Sequence, residues 1–406
     1  MGRRKKGFYV SLFGCLFMLS SLNPLWAAEA DTSRLIELLK DKNIINQQEA
    51  EQLLQEVKAG AKKEQQEKEG MKAAVKGSAL PTALKGSKFG TTIYGEWKSV
   101  TPDSGASSNN FNVNRAYLTL TKDVNDWLAM NLTSDLNYNA GQGYQLRMKY
   151  AFAALKFFGT KTELGLGHTP SDDYDGSIWP YRMQGKHLLD DLGIQASADF
   201  GINNSGKFKY GGYMVGVFDG PGYNVSEANG NKIFSGTFYV RPLPDVPIMK
   251  GLQLAYSGSF GKSNSKYTVA AAGTGADINE YPDFKANIAQ ISLQHDMFAI
   301  MAQYYWGDAT ATSAEDFSRK AYLVEGFVRV PGAEKIRAFG RYQHYDPNTD
   351  KDDNSSKKVV AGLSYDMAKE FMPFVAYEKK TYDTNAAGVA AGTDYDQFQV
   401  GFQLKF

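Results

Sequence analysis

The sequence predicts an all-β transmembrane barrel of about 16 antiparallel strands, preceded by a short N-terminal α-helical, coiled-coil-like segment. In residues 395–406 apolar residues alternate with polar residues or glycine, and the run ends on Phe406, as the closing strand of such a barrel requires. Alternating segments of about ten residues recur from Phe89 onward. The chain is 13% aromatic, yet its mean hydropathy of −0.40 is too polar for a helical membrane protein. Alternating strands reconcile that polarity with a membrane location, because half of their residues face water.

The N-terminus has the pattern of a secretory signal peptide over residues 1–30. Basic residues at positions 3–6 precede an apolar stretch at positions 8–19, and small residues allow cleavage after Ala30. Cleavage removes four of the 45 basic and one of the 44 acidic residues, which leaves a net charge of −2 and gives no support for nucleic-acid binding. Cleavage also removes Cys15, the single cysteine, and so excludes disulfides, thiol catalysis and attached c-type haem.

Residues 31–85 are predicted to form a periplasmic helical segment and linker, and residues 86–406 the barrel. The region is rich in Lys, Glu, Gln and Ala, and Asn46 with Glu49 resembles a capping box that opens a helix. Its apolar stripe is too short to form an independent core. Two readings stay open: a helical hairpin resting on the periplasmic mouth of the barrel, or a coiled-coil-like device that joins subunits.

Sixteen alternating segments can be counted, and an even number lets the sheet close without an edge in lipid. They are residues 90–100, 112–122, 127–138, 145–157, 163–168, 193–202, 208–218, 232–241, 252–260, 286–294, 298–307, 319–330, 336–345, 358–366, 371–382 and 395–406. Short links such as 123–126, 331–335 and 367–370 are expected at the periplasmic side, and long ones such as 261–283 outside the cell. The sequence thus predicts a multi-pass barrel of a Gram-negative outer membrane.

No catalytic constellation is present. The four histidines lie on different predicted strands or loops, and no serine occupies a nucleophile elbow. Residues 346–357 begin like a calcium loop, but Lys351 and Lys357 replace the required glycine and glutamate. We therefore expect no enzyme activity, no cofactor and no metal site.

The long connection 169–191 is the best candidate for a constriction. It combines Asp172, Asp173 and Asp175 with Arg182 and Lys186, and its polarity and length suit a third outward loop that folds into the water-filled interior. A loop lying over the outer rim is the alternative. Alternation also places basic side chains on the inner wall, because a cation facing mid-membrane lipid costs roughly 2–4 kcal/mol. The basic wall candidates are Arg115, Arg147, Lys149, Arg319, Arg329, Arg337 and Arg341. A basic wall opposite an acidic loop would produce a transverse field across the pore.

Several short stretches resemble the phosphate-selective porin O and P family of Gram-negative outer-membrane porins. They are Asn114-Arg-Ala-Tyr-Leu-Thr-Leu120 with Asp126-Trp127, Ala151-Phe-Ala-Ala-Leu-Lys156, Leu164-Gly-Leu-Gly167, Asp191-Leu-Gly-Ile-Gln195, Val217-Phe-Asp-Gly220 and Gly340-Arg-Tyr-Gln-His-Tyr-Asp-Pro-Asn348. The resemblance implies a sixteen-stranded, trimeric, water-filled channel that favours anions. Residues 89–406 depart from the dense basic ladder of phosphate-selecting members, since they contain 30 basic and 34 acidic residues.

The expected function is passive diffusion of small hydrophilic solutes and ions, with a weak anion preference. The expected partners are outer-membrane lipid, small hydrophilic solutes or anions, two further copies in a homotrimer, and the barrel-assembly machinery through Phe406. The alternative is a structural or partner-supporting outer-membrane barrel, for example one assisting extracellular electron transfer with separate cytochromes. Lacking the CxxCH motif, this chain could not carry haem electrons itself.

Overall fold

The computed structural model describes residues 85–139, 143–264, 267–270, 277–310, 316–384 and 392–406, together with isolated residues between 40 and 55. The chain divides into two compact units, Met1–Lys85 and Gly86–Phe406. The predicted signal peptide lies outside the described residues, as does most of segment 31–85, so both assignments stay predictions. In that segment the Gln48 amide donates to Asn46 Oδ1 at 3.0 Å, which is the bond of a helix N-cap.

Sixteen strands close into one antiparallel barrel, which confirms the predicted fold class. The barrel strands are β1 Ser87–Pro102, β2 Ser108–Asp123, β3 Leu128–Asn139, β4 Gly143–Phe157, β5 Thr160–His168, β6 Ala198–Phe208, β7 Gly211–Phe218, β8 Ile233–Val240, β9 Leu252–Lys262, β12 Asp283–His295, β13 Phe298–Thr310, β14 Asp316–Val330, β15 Ala333–Asp346, β16 Ser356–Tyr365, β17 Phe371–Tyr382 and β18 Tyr395–Lys405. A separate hairpin, β10 Tyr267–Ala270 with β11 Asp277–Glu280, lies within the connection from β9 to β12.

The barrel closes where β1 pairs with β18, from Thr92 opposite Lys405 to Pro102 opposite Tyr395. Phe406 extends this seam, because its amide donates to the Thr91 carbonyl at 3.0 Å and the Thr91 amide donates to its carbonyl at 2.7 Å. Closure pairs the backbone N–H and C=O groups of both terminal strands. Such groups cannot stay unpaired in the hydrocarbon core of a membrane.

The two ends of the barrel differ in the length of their connections. At one end, here called the short-turn end, pairs of residues such as 158–159, 209–210 and 296–297 join neighbouring strands, although 241–251 is longer and contains three prolines. At the other, the loop end, the connections include 169–197, 219–232 and 263–282. This alternation matches the predicted division into short and long links.

The two faces of the sheet have opposite polarity. Large apolar side chains such as Leu146, Ile202 and Leu363 are exposed on the outer face, whereas Gln399, Gln303 and other polar side chains are buried on the inner face. Exposed aromatic side chains gather near both ends, for example Trp127 stacked on Phe157 at the short-turn end. An apolar exterior with aromatic belts is the surface that a bilayer requires. In the described part of the chain, no helix has the length and hydropathy to cross a membrane.

Two predicted strands begin well before the observed ones. The segments 193–202 and 208–218 are in fact β6 from Ala198 and β7 from Gly211. Gly193 has a φ of +67° and ends a short helix, after which the Ile194 amide bonds back to the Leu189 carbonyl at 2.8 Å. Residues 193–197 therefore complete the preceding segment and do not enter the sheet.

Candidate functional site

The connection between β5 and β6, residues 169–197, folds against the inner wall of the barrel and is here called the inner segment. It contains the short helices α1 Pro170–Gly176 and α2 Leu188–Asp191. Pro170 occupies the first turn of α1, where its missing amide hydrogen costs no bond. Thr169 Oγ1 donates to the Ala196 carbonyl at 2.8 Å and so ties the two ends of the segment together.

One side of the inner segment packs on the wall through apolar side chains. Tyr181 is fully buried and stacks on Phe339 of β15 with 4.1 Å between ring centroids, and Trp179 packs beside both. Leu188 and Leu189 form a second cluster with side chains of β12–β14. Burial of several large side chains fixes the segment on this wall, since each contributes roughly 1.5–3 kcal/mol.

Charged groups reinforce the same contact. Arg341 of β15 donates through Nε to Glu325 Oε2 of β14 at 2.7 Å, and its Nη2 lies 2.6 Å from the same oxygen. Its Nη1 donates to the Lys186 carbonyl at 2.8 Å. Lys358 of β16 binds Asp191 at 2.5 Å. The arginine is 3% exposed. Arg341 therefore lies behind the inner segment and anchors it.

The opposite edge of the segment carries one ion pair and one histidine–carboxylate contact. Arg182 lies 2.5 Å from Asp190, and Asp172 lies 2.9 Å from Nδ1 of His187. Burial works to raise the pKa of Asp172, but His187, Arg182 and Lys149 outweigh it and hold that pKa below its usual value. Lys149 belongs to β4, so this edge reaches the wall opposite the anchored side.

The opposing wall presents Arg115 and Lys149. Arg115 of β2 binds Asp135 of β3 at 2.5 Å, and Lys149 Nζ lies 3.3 Å from the Tyr117 hydroxyl. Lys149 also lies over the rings of Tyr117, Tyr150 and Tyr223 at 4.9, 5.4 and 5.8 Å from their centroids. The region between the inner segment and this wall, here called the constriction, is thus built from cations, carboxylates and tyrosines.

Two β-bulges determine the direction of the basic side chains of this wall. Thr133 pairs with Tyr150 and Ser134 with Met148, which leaves Lys149 as the extra residue of its strand. A second shift, between Tyr94 and Gly95, leaves Asn114 unpaired next to Arg115. An extra residue bends the strand and redirects the neighbouring side chains, so both cations occur where the ladder is irregular.

A second loop, residues 219–232, also reaches the constriction, and the sequence reasoning missed it. The Tyr223 hydroxyl donates to Asp135 at 3.2 Å, and Asn224 accepts a bond from Arg147 at 3.1 Å. Burial raises the pKa of Tyr223, although Arg115 and Lys149 oppose that rise. The only hint in the sequence is the tight Gly220-Pro221-Gly222 turn before the tyrosine.

The remaining predicted site residues lie in other places. Asp175 is buried behind the segment, where Gln303 donates to it at 2.8 Å and burial raises its pKa to about 7. Asp173 is exposed on α1. Arg319 donates to the Asp308 carbonyl, and Arg329 and Arg337 both bind Asp366 near the short-turn end, at 2.7 and 2.6 Å. The structure therefore groups Arg115, Arg147, Lys149, Asp172 and Arg182, and keeps these other residues apart from them.

A polar cavity of about 280 Å³ adjoins the inner segment. Lys186, Arg341, Lys358, Glu378 and Lys380 contribute to its lining. Within the described ranges, no group of three or more histidine, cysteine, aspartate or glutamate side chains is arranged to hold a metal ion. The lining of the cavity is charged and polar.

Solved structures of outer-membrane proteins share the fold. A loop-deletion mutant of OmpT from Vibrio cholerae superposes with a TM-score of 0.59 at 14% identity, covering 79% of this chain and all of that one. OprB of Pseudomonas putida gives 0.57 at 11% identity, covering 79% and 94% of the two chains. Salmonella typhi OmpF, solved with daunomycin, gives 0.56 at 14%, covering 79% and 97%. No family model and no curated protein sequence matches the chain. At these identities the likeness concerns the fold, and with the apolar outer face it identifies the chain as a multi-pass β-barrel of the Gram-negative outer membrane.

Proposed function

We propose that this protein is a porin, a water-filled channel through which small hydrophilic solutes and ions cross the outer membrane by passive diffusion. The observation that carries the proposal is the polar, charged interior, formed by the constriction and the adjoining cavity of about 280 Å³, inside a barrel whose outer face is apolar. Charged side chains can replace part of the hydration of a passing solute without binding it tightly, which passive conduction requires.

Two cations at the constriction support a weak preference for anions. Arg147 and Lys149 have no carboxylate oxygen within 4.0 Å, whereas Arg115 and Arg182 are paired. Unpaired cations at a narrow point attract anions, and the effect weakens as salt screens it. No dense basic ladder accompanies them, so we propose a general channel and not a phosphate-specific one, whatever the resemblance to the phosphate-selective family.

The interior favours a passive channel without enzyme activity over a barrel that encloses a partner protein. The inner segment and Tyr223 occupy interior space that a multihaem partner would need. We further propose a homotrimer, a form in which OmpT of Vibrio cholerae has been solved. Insertion by the barrel-assembly machinery through Phe406 completes the proposal, since Phe406 ends the closing strand.

Liposome swelling with uncharged sugars of increasing size tests diffusion directly. We expect small sugars to enter at rates that fall steeply with size, and no entry into liposomes without the protein. A selectivity arm compares Lys149→Gln with Lys209→Gln, a lysine paired with Asp245 at the short-turn end. Lys149→Gln should shift the reversal potential towards cations and Lys209→Gln should not. Equal permeability to all sugars, or to none, would contradict the proposal.

A further inference from the structure

The ammonium group of Lys149 lies behind three tyrosine rings. Its Nζ is 4.9, 5.4 and 5.8 Å from the ring centroids of Tyr117, Tyr150 and Tyr223, and the residue is only 4% exposed. The faces of such rings attract a cation and take the place of part of its hydration. A solute in the constriction therefore has little direct access to this charge.

Two of the three rings are fixed by the sheet, and the third is not. Tyr117 belongs to β2 and is paired with residues of both β1 and β3. Tyr150 belongs to β4 and pairs with Thr133 of β3. Tyr223 reaches Lys149 from loop 219–232, which lies outside the barrel sheet. Tyr223 is thus the one ring of these three that can be removed or displaced without disturbing a strand.

The backbone at the start of loop 219–232 holds Tyr223 in this position. The Tyr223 amide donates to the Ala198 carbonyl at 3.0 Å. Gly222 has a φ of +81°, and a Cβ on it would clash with the Cβ of Ala196 in the inner segment. Glycine alone permits both this backbone conformation and this close approach. Tyr223 therefore enters the constriction along a closely fitted path.

The far part of loop 219–232 is held by the neighbouring connection 263–282. Asn264 Oδ1 accepts a bond from the Ala228 amide at 2.8 Å, and its Nδ2 donates to the Ser226 carbonyl at 3.1 Å. One asparagine side chain thus replaces, for this loop, the hydrogen bonds that a sheet would supply. Bonds at both ends of the loop fix where its tyrosine lies.

We propose that Tyr223 covers Lys149 and thereby limits how strongly the constriction attracts anions. The inference rests on the diffusion function proposed above and names a residue that sets its selectivity. Coulombic attraction falls with distance and is screened by water and salt, so an anion kept a ring's width away gains less than one in contact. The same ring occupies space at the narrow part of the pore, so its removal should also raise conductance.

The first test measures how fast a water-soluble N-hydroxysuccinimide ester acetylates Lys149 in the detergent-solubilised protein, with peptide mass spectrometry as the readout. We expect a slow reaction in the wild type and a several-fold faster one in Tyr223→Ala. Tyr223→Phe keeps the ring and should leave the reaction slow. Lys209, exposed at the short-turn end, is the internal reference and should react equally in all three proteins.

Two glycines of loop 219–232 provide a matched pair of variants that leave both Tyr223 and Lys149 in the chain. Gly222→Ala should push the loop away from the inner segment and speed acetylation of Lys149 as Tyr223→Ala does. Gly230→Ala adds the same methyl group where no atom lies within 4 Å, and should react as the wild type does. If either Tyr223→Ala or Gly222→Ala fails to fold, the other decides.

The second test records reversal potentials under a salt gradient in planar bilayers. Tyr223→Ala should shift the potential in the direction that favours anions and raise conductance. In a Lys149→Gln background the same change should raise conductance without shifting the potential.

Unchanged acetylation of Lys149 in Tyr223→Ala and Gly222→Ala would overturn the proposal. So would an equal shift in reversal potential with and without Lys149, because the tyrosine would then act through another charge. A wild-type protein that conducts nothing would contradict the diffusion function, whereas the acetylation rates would still decide whether Tyr223 covers Lys149.

Discussion

Arg341→Met should release the inner segment from the wall. The guanidinium is buried, forms an ion pair with Glu325 to which Nε donates, and donates through Nη1 to the Lys186 carbonyl. Its removal leaves the equally buried Glu325 without a cation, which typically costs about 3–5 kcal/mol. Since 1.36 kcal/mol corresponds to tenfold, the population of the released segment should rise between roughly 100-fold and several thousand-fold.

Hydrogen exchange measured by mass spectrometry reads that population directly. The amides of Ile178 and Trp179, which bond to Asp175 within the segment, should lose protection by this factor, while the barrel strands keep theirs. The double variant Arg341→Met with Glu325→Leu removes both charges and should recover most of the protection. Arg147→Met, which breaks no ion pair, is the matched control. Unchanged amide protection in Arg341→Met would refute the anchoring role. So would amide exchange in the double variant that is as fast as in Arg341→Met alone.

Three further predictions concern pH, the barrel seam and the C-terminus. Burial raises the pKa of Asp175 to about 7 from an ordinary 3.8, so the packed segment holds this proton more tightly than the released one. The stability of the packed segment should be greatest below pH about 4, fall by at most roughly 4 kcal/mol between pH about 4 and about 7, and level off above that range. Asp175→Asn should flatten the pH dependence of segment exchange between pH about 4 and about 7. A Cβ on Gly95 would meet the Phe402 ring at 2.5 Å, whereas one on Gly90 of the same strand would find its nearest atom at 3.6 Å. Gly95→Ala should therefore lower the free energy of unfolding by about 1–3 kcal/mol in urea titrations, and Gly90→Ala should change it far less; equal effects would contradict the close packing at the seam. Deletion of Phe406 removes both of its backbone bonds to Thr91, so the heat-induced gel shift should occur at a lower temperature than in the wild type.

The sequence predicted the barrel well because lipid and water impose a period of two on every strand. Phe398 and Val400 against Gln397 and Gln399 are enough to define both faces of β18. The strand count and the closed sheet followed from repetition of that pattern.

The constriction was only partly predictable. Alternation predicts Arg115 and Lys149 on the inner face, but it would have sent Tyr150 outwards, and only the bulge brings this ring beside Lys149. The arrival of Tyr223 from another loop depends on the backbone path and has no periodic signal. For the same reason the sequence could not separate Arg341, which anchors the inner segment, from the cations of the opposing wall.

The most direct test of the central claim is planar-bilayer recording with the purified protein under a salt gradient. We predict discrete, reproducible conductance steps and a small reversal potential of the sign that favours anions, moved towards cations in Lys149→Gln. A bilayer that stays silent after insertion of folded protein would contradict the claim that this barrel is a channel.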